Sequence, residues 1–198
     1  MLKQSRMILR LAWTLQLLAC LIFIPAARAI TMEELRALPH LTPVEFARYF
    51  ADFEFKFHPE VQPHNQFLSH RSGDCDDYAT VAADALARHG YTPRMIAIRM
   101  KGETHVVCYI PETHSYLDYN MRKEANPLVP CSPEITDIAR NVAKGFGRDW
   151  VATYEFTYEE QESIKRLVNQ IVPNLAISTE AKVLTTEQAR TGSSKNGK

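Results

Sequence analysis

A predicted helix that leads directly into a predicted β-hairpin is the feature of this sequence that most constrains the fold. The helix begins at Cys75, where Ser72 or Asp74 can cap its first turn. The strands of the hairpin follow over residues 94–100 and 104–110, on either side of a short turn that contains a glycine. The apolar face of the helix is built mainly from small residues, which favours close packing on a sheet. We therefore expect an α+β fold in which a central helix packs against an antiparallel sheet.

The remaining elements are predicted from capping, alternation and helical spacing. A capping box over residues 42–45 starts an upstream helix that runs to about Ala51. Its aromatic residues recur at helical spacing and are expected in the core: Phe46, Tyr49, Phe50 and Phe53. The apolar spacing over residues 159–171 predicts a last helix. Alternation and spacing further predict strands over 115–119 and 151–158 and a short helix over 135–142.

The first 29 residues have the composition of a secretory signal peptide. Three basic residues precede the apolar run over 11–24, and Ala27-Arg28-Ala29 offers a cleavage site. The run is shorter than the roughly 20 residues that a membrane span requires, so export to the periplasm or the medium followed by cleavage is favoured. Association with a membrane is expected only if this segment stays uncleaved or if Cys20 carries a lipid.

The folded domain is expected to span residues 30–177, followed by a disordered tail over 178–198 that lacks aromatic residues. Cleavage after Ala29 would remove four of the 23 Lys and Arg residues, which leaves 19 basic against 23 acidic side chains. The net charge would then be −4 with neutral histidines. No Lys/Arg cluster with interleaved aromatic residues is present, so nucleic acid is excluded as an expected partner.

Three cysteines follow the signal peptide: Cys75, Cys108 and Cys131. In an oxidising compartment an odd number implies a free thiol or an intermolecular bridge. A disulfide between Cys108 and Cys131 with Cys75 free fits this number, and so do three free thiols. Alternation along the second hairpin strand places His105 on the face opposite Cys108, and we expect Cys108 in the core.

Cys75, His105 and Asp118 together have the order of a nucleophile and its two supporting groups. The cysteine lies at a helix entrance, the histidine on a strand and the aspartate at the end of the next strand. A thiolate can attack a carbonyl while an imidazole transfers the proton and a carboxylate orients that imidazole. Each residue is ordinary by itself, but the three in this order predict a cysteine hydrolase with a Cys-His-Asp triad.

The acidic residues beside Cys75 oppose this reading, because negative charge disfavours a thiolate. Asp74, Asp76 and Asp77 are compatible with a nucleophile if they cap the helix, face solvent or bind a cation. Three upstream histidines match no ligand motif and are expected on a solvated loop: His58, His64 and His70.

The blocks Gly73-Asp74-Cys75-Asp76-Asp77-Tyr78-Ala79, Thr104-His105-Val106-Val107 and Leu117-Asp118 resemble the transglutaminase-like superfamily of papain-like fold. The chain looks most like the bacterial transglutaminase-like cysteine proteinases of that superfamily, over about residues 67–120. The resemblance implies that Cys75 is the nucleophile, His105 the general base and acid, and Asp118 the carboxylate that orients His105. It further implies an oxyanion site made from the Cys75 backbone N–H and an upstream side chain, for which Gln66 and Asn65 are candidates.

The same resemblance suggests a calcium site at Asp74 and Asp76, since acidic residues beside the nucleophile help to bind calcium in some of these proteases. Capping and solvation of the two carboxylates is the alternative, and no cofactor is required for the chemistry. The interval from cysteine to histidine looks shorter than in the adhesin-releasing members, and Asp76 replaces their usual glutamate, so adhesin cleavage is not carried over.

The expected function is hydrolysis of an amide bond in a protein or peptide of the bacterial envelope, through a thioester intermediate. A transamidase or amidase using the same triad is an alternative. A non-catalytic peptide-binding or scaffold module of the same fold is a second alternative, against which the intact triad argues.

Overall fold

The computed structural model describes residues 29–173, which form five helices and eight strands. The helices are α1 (Met32–Ala37), α2 (Pro43–Tyr49), α3 (His64–His70), α4 (Cys75–Ala87) and α5 (Ile135–Gly145). The strands are β1 (Glu54–Phe55), β2 (Ser72–Gly73), β3 (Arg94–Met100), β4 (Glu103–Ile110), β5 (Ser115–Leu117), β6 (Leu128–Pro130), β7 (Trp150–Glu159) and β8 (Ile164–Ile171). Single 3₁₀ turns lie at Pro111–Thr113 and Tyr119–Met121.

Six of the strands form one antiparallel sheet in the order β6-β5-β4-β3-β7-β8, and α4 packs against it. The α+β class and the central helix on an antiparallel sheet are therefore confirmed. Strands β1 and β2 form a separate parallel pair just before α4. Strand β2 of this pair ends at Gly73, two residues before α4 begins, so the pairing with β1 helps to position the first residue of α4.

The sheet has a hydrophobic core on each face. On one face β3, β4 and β5 pack with α1 to α4, and the largest group in this core is aromatic: Phe46, Phe50, Phe53, Phe67 and Tyr78. On the other face Ile96, Val107 and Tyr109 pack with α5. The rings of Phe50 and Phe67 stack at a centroid separation of 5.6 Å. Because alternate residues of β4 enter different cores, the strand fixes which side of the sheet each of its side chains occupies.

The hairpin that was expected from the sequence is confirmed residue by residue in β3 and nearly so in β4, and α5 contains the expected short helix. Three of the four aromatic residues assigned to the core near α2 are buried, but Tyr49 is 40% exposed. The prediction for Tyr49 was wrong because the side of α2 that packs in the core carries Phe46 and Phe50, four residues apart, and the ring of Tyr49 is outside this contact.

The predicted last helix was also wrong, because this stretch is strand β8, paired antiparallel with β7. Phe156 pairs with Leu167 whereas Glu155 pairs with Asn169, so Val168 is an extra residue in β8. Such a bulge shifts the two-residue alternation of a strand. Apolar residues on either side of Val168 consequently recur at spacings that resemble those of a helix.

Arg122 connects the 3₁₀ turn that follows β5 to the aromatic core. It is 8% exposed, and its guanidinium donates to the carbonyl oxygens of Phe50, Phe53 and Tyr119. The same group lies 3.7 Å from the centroid of the Tyr119 ring. Arg122 therefore satisfies three backbone acceptors from two segments that are distant in sequence.

Within residues 29–173 no helix is long and apolar enough to cross a membrane. The predicted signal peptide, except for its last residue, and the predicted tail over 178–198 lie outside the described residues.

We expect Arg122→Met to lower the free energy of unfolding by about 2–4 kcal/mol, because three carbonyl groups would lose their donor while methionine keeps part of the apolar contact. Chemical denaturation measured by circular dichroism checks this. The matched control is Arg88→Ala, at an exposed position at the C-terminal end of α4. This substitution should change the free energy of unfolding by less than about 0.5 kcal/mol. Equal effects of the two substitutions would contradict the role given to Arg122.

Candidate active site

The N-terminus of α4 is closed by reciprocal hydrogen bonds that place Cys75 at the first helical position. The Asp74 side chain accepts from the backbone N–H of Asp76, and Asp77 Oδ2 accepts from the backbone N–H of Asp74 at 3.1 Å. The backbone N–H of Cys75 lies in the first turn, where no intrahelical acceptor exists. That N–H is therefore in position to bind an anion that forms next to the sulfur.

Asp77 is completely buried and is held by the segment that precedes α3. Its Oδ1 accepts from the backbone N–H of Gln62 at 2.7 Å, and its Oδ2 accepts from the Gln62 side-chain amide at 2.7 Å. A Cβ on Gly73 would approach the Phe67 ring to within 2.6 Å, so a glycine is required next to this network. Buried carboxylates are tolerated when donors surround them, which explains why Asp77 can lie in the interior.

His105 and Asp118 are brought together by the pairing of β4 with β5. His105 Nε2 lies 2.9 Å from Asp118 Oδ1, and the two residues are only 4% and 7% exposed. The same carboxylate oxygen accepts from the backbone N–H of Asn120 at 2.8 Å. The His105 ring also packs against Phe146, with the ring centroids 4.9 Å apart. The Asp118 carboxylate therefore contacts both the His105 ring and the turn that follows β5.

The Cys75 side chain completes this row of groups. It lines the same cavity as the His105 ring, whose Nε2 contacts Asp118. Burial acts to lower the pKa of His105, but hydrogen bonds to Asp118 and to the Cys75 side chain raise it to about 10. The structure thus brings Cys75, His105 and Asp118 into one connected arrangement in which a protonated imidazole is favoured at neutral pH.

Asp74 and Asp76 face different partners although they are near each other. Asp74 Oδ2 accepts from the backbone N–H of His58 at 2.9 Å, whereas Asp76 Oδ2 binds Lys165 Nζ of β8 at 2.7 Å. Burial and the neighbouring Asp76 carboxylate raise the pKa of Asp74 to about 7. The negative charge around Cys75 is therefore reduced by a lysine, by backbone N–H groups and by partial protonation of Asp74.

The donors around Asp74 and Asp76 weigh against the calcium site expected there. Asp74, Asp76 and Asp77 each present one oxygen close enough to share an ion. However, Asp77 uses both oxygens for Gln62, and Lys165 binds Asp76. Oxygen ligands suit calcium, but here one lysine and several N–H groups of the protein already contact these carboxylates.

A second cluster with metal-ligand side chains lies at the junction of α3, α4 and the β7–β8 turn. His64 Nδ1 is 3.3 Å from Asp84 Oδ2 and 3.2 Å from Glu160 Oε2. Asp84 is also bound by the Arg36 guanidinium, and these two contacts lower the pKa of Asp84 to about 2 against the opposing effect of burial. A guanidinium on the same carboxylate competes with a metal, so we interpret the cluster as an ion-pair network.

This cluster corrects the expectation that the three upstream histidines lie on a solvated loop. His64 is 2% exposed and His58 is half-buried, whereas His70 is exposed. The backbone N–H of His64 donates to Glu160 Oε1 at 2.8 Å, so the network attaches the β7–β8 turn to α3.

The two side chains considered for the oxyanion site do not lie beside Cys75. Asn65 Oδ1 accepts from the backbone N–H of Met32 and thereby joins α3 to α1. Gln66 is exposed, and neither residue lines the cavity that contains Cys75. Both lie on α3, which packs beside α4 and directs these two polar side chains away from the sulfur. The assignment of Gln66 and Asn65 therefore needs correction, and the Cys75 N–H remains as the candidate donor.

The other two cysteines do not form a disulfide. Cys108 and Cys131 are both free thiols, and they pack in the cores on opposite faces of the sheet. Cys108 is fully buried, as expected. The odd number of cysteines was compatible with one disulfide and a free Cys75 or with three free thiols. Among the residues that it describes, the structure has three free thiols.

A cavity of about 840 Å³ opens beside Cys75 and His105. One wall comes from the segment that begins in β1, with Phe55 and Phe57, and a second wall comes from the β7–β8 hairpin. The sequence reading did not assign these residues to the site. The alternation of Phe55, Lys56 and Phe57 was a signal for two aromatic rings on one side, but nothing in the sequence links that segment to the distant hairpin.

We expect the stability of the wild type relative to Asp74→Asn to fall as pH rises from about 4 to about 7. The pKa of Asp74 is raised from 3.8 to about 7 in the folded protein. The stabilisation that Asp74 contributes is therefore fully present below pH 3.8, the pKa in the unfolded chain, and is lost as the pH rises through the pKa of the folded protein. Asparagine is as good a helix cap as aspartate. Urea denaturation of both proteins at several pH values checks this, and a pH-independent difference would contradict it.

We expect calcium to have almost no effect on the thermal stability of the protein. The carboxylates beside Cys75 already have protein donors, so millimolar calcium against a chelator should shift the melting temperature by less than about 1 °C, since only a bound ligand stabilises the native state. Differential scanning fluorimetry makes the comparison. A calcium-dependent increase that Asp76→Asn abolishes would restore the calcium site.

No protein-family model matches this chain, and a search of the curated proteins finds no significant match. The resemblance of the three sequence blocks to the transglutaminase-like superfamily thus has no support from these comparisons.

Proposed function

We propose that this protein is an exported cysteine hydrolase of the transglutaminase-like type, which cleaves an amide bond in a protein or peptide of the bacterial envelope. The observation that carries the proposal is the connected row of the Cys75 side chain, the His105 imidazole and the Asp118 carboxylate, with 2.9 Å between His105 Nε2 and Asp118 Oδ1. The three residues come from α4, β4 and the end of β5, so their proximity is produced by the fold and not by a short sequence motif.

The electrostatics of the row support a thiolate nucleophile. The raised pKa of His105 favours an imidazolium beside the sulfur, and a positive neighbour stabilises the thiolate form of a cysteine. Asp118 supports that positive charge from the other side of the ring. The first turn of α4 adds the partial positive charge of a helix N-terminus at the same atom.

The proposed reaction begins when the Cys75 thiolate attacks the amide carbonyl carbon, forming the carbon–sulfur bond and placing negative charge on the oxygen. The Cys75 N–H is positioned to bind that oxyanion. Collapse of the intermediate breaks the carbon–nitrogen bond, and His105 gives its proton to the leaving amine. Water then attacks the thioester while neutral His105 accepts a proton from it. The acid leaves, the Cys75 thiolate is regenerated and His105 is again protonated.

Asp118 acts in this reaction through His105 rather than on the substrate. Its carboxylate contacts Nε2 and thereby fixes the ring orientation, so the other ring nitrogen is available for proton transfer. Asn120 holds the same carboxylate oxygen from the backbone, so the position of Asp118 is determined by the turn that follows β5.

Hydrolysis is favoured over transamidation because water as the acceptor needs no second binding site. Transfer to an amine would follow the same steps as far as the thioester, so the two reactions differ only in the acceptor. A non-catalytic binding module is the second candidate, and the hydrogen-bonded pair of His105 and Asp118 argues against it, since such a buried polar pair has no evident use in binding alone.

We expect iodoacetamide to alkylate Cys75 faster than the other two cysteines at pH 7, and we expect His105→Ala to slow this alkylation by about 10-fold because the positive neighbour of the thiolate is lost. Asp118→Asn should slow it less, since the imidazole remains. Mass spectrometry of peptides from the folded protein gives the rate at each cysteine.

The matched control for this experiment is His70→Ala, which removes an exposed histidine at the end of α3. It should leave the rate at Cys75 unchanged. If Cys75 reacts no faster in the folded protein than after unfolding, or if its rate is indifferent to His105, the proposed nucleophile is refuted.

A further inference from the structure

We propose that the cavity beside Cys75 is a binding site for a large apolar side chain of a peptide substrate, next to the bond that is cleaved. This inference rests on the proposed function, because it takes Cys75 as the reacting atom. It adds the class of substrate: an extended peptide in which an aromatic or large aliphatic residue supplies the acyl group.

The first wall of the cavity consists of two exposed phenylalanines. Phe55 is 67% exposed and Phe57 is 73% exposed, whereas Phe46, Phe50 and Phe67 are completely buried. Both exposed rings belong to the segment that runs from β1 towards His58, and His58 is hydrogen-bonded to the cap of α4. Two adjacent exposed aromatic rings at the mouth of a cavity indicate a surface that binds an apolar group.

The second wall is formed by the β7–β8 hairpin. Phe156 of β7 and Leu167 of β8 are paired in register and both line the cavity, and Leu167 is 60% exposed. The hairpin is attached to the helical layer at two points, by Lys165 on Asp76 and by Glu160 on His64. An apolar surface is thus held opposite the phenylalanines, with Cys75 in the same cavity.

Each charged side chain that lines the cavity already contacts another group of the protein. Asp76 binds Lys165, and Glu103 lies 3.2 Å from Arg148. Asp74 accepts backbone N–H groups. Among the cavity-lining residues, Lys165 is the one lysine or arginine, and its ammonium is bound and lies 5.8 Å from the centroid of Phe156. What remains available to a substrate side chain is the apolar surface.

The size of the cavity favours a peptide segment over a single free amino acid. Its volume of about 840 Å³ is near the upper end of the range for small-ligand sites, which is about 300–1,000 Å³. A segment of a few residues fills such a space, and one of its side chains can contact both walls while its carbonyl group reaches Cys75. A peptide of this kind is also the substrate that an amide hydrolase requires.

The test uses the folded chain from residue 30 onwards and a series of acyloxymethyl ketone probes with the same peptide backbone. Their terminal residue is Phe, Leu, Gly, Glu or Lys, and Cys75 displaces the carboxylate leaving group to form a thioether. The expected result is that the Phe and Leu probes inactivate Cys75 about 10- to 100-fold faster than the Gly, Glu and Lys probes, from the contribution of one buried apolar side chain. Mass spectrometry measures the rates.

Variants locate the preference in the two walls. Phe57→Ser and Leu167→Ser change exposed residues, so folding should be retained, and each should reduce the preference for Phe over Gly by about 10-fold. Tyr49→Ser removes a comparably exposed aromatic group outside the cavity and should leave the preference unchanged. Alkylation by iodoacetamide, which has no side chain to recognise, should proceed in the Tyr49→Ser variant at the wild-type rate.

The outcomes separate this inference from the proposed function. If iodoacetamide reacts rapidly with Cys75 but the five probes react at equal rates, the apolar site is refuted and the nucleophile stands. If neither reagent reacts preferentially with Cys75, the proposed function itself is refuted. A probe with a decanoyl chain in place of the peptide that reacts faster than the Phe probe would overturn the peptide class in favour of a lipid.

Discussion

The reciprocal capping of α4 by Asp74 and Asp77 is the interaction on which the rest of the site depends. Asp77 is completely buried and binds Gln62 through both oxygens, so one side chain links the start of the helix to the segment before α3. This holds Cys75 at the first helical position, where its backbone N–H has no intrahelical partner. The candidate site therefore begins with a helix cap, and the position of Cys75 follows from how that cap is buried.

The acidic residues around Cys75 have separate tasks although the sequence presents them as one cluster. Asp77 is a structural acceptor, Asp74 joins the cap to His58, and Asp76 binds Lys165 of the hairpin. The same groups that reduce the negative charge near the sulfur also attach the two walls of the cavity. Charge balance around Cys75 and the shape of the cavity beside it are thus consequences of one network.

Sequence reasoning was most successful where a local pattern has one structural solution. The hairpin of β3 and β4 and the short helix α5 follow from alternation and spacing, and β4 carries His105 and Cys108 on opposite faces as alternation requires. The prediction of a helix at β8 was wrong, because the extra residue Val168 interrupts the two-residue alternation and gives the apolar residues an apparent helical spacing. A bulge is determined by the partner strand, so the sequence of β8 does not reveal it.

By itself the sequence determined the α+β class, the helix that begins at Cys75 and the chain order of Cys75, His105 and Asp118. Only the tertiary structure decided that His105 Nε2 lies 2.9 Å from Asp118, since that distance depends on the register between β4 and β5. It also decided that Asn65 joins two helices and that the walls of the cavity come from segments about a hundred residues apart. Local propensity acts within a few residues, whereas a cavity forms between segments that meet only after the sheet has been assembled.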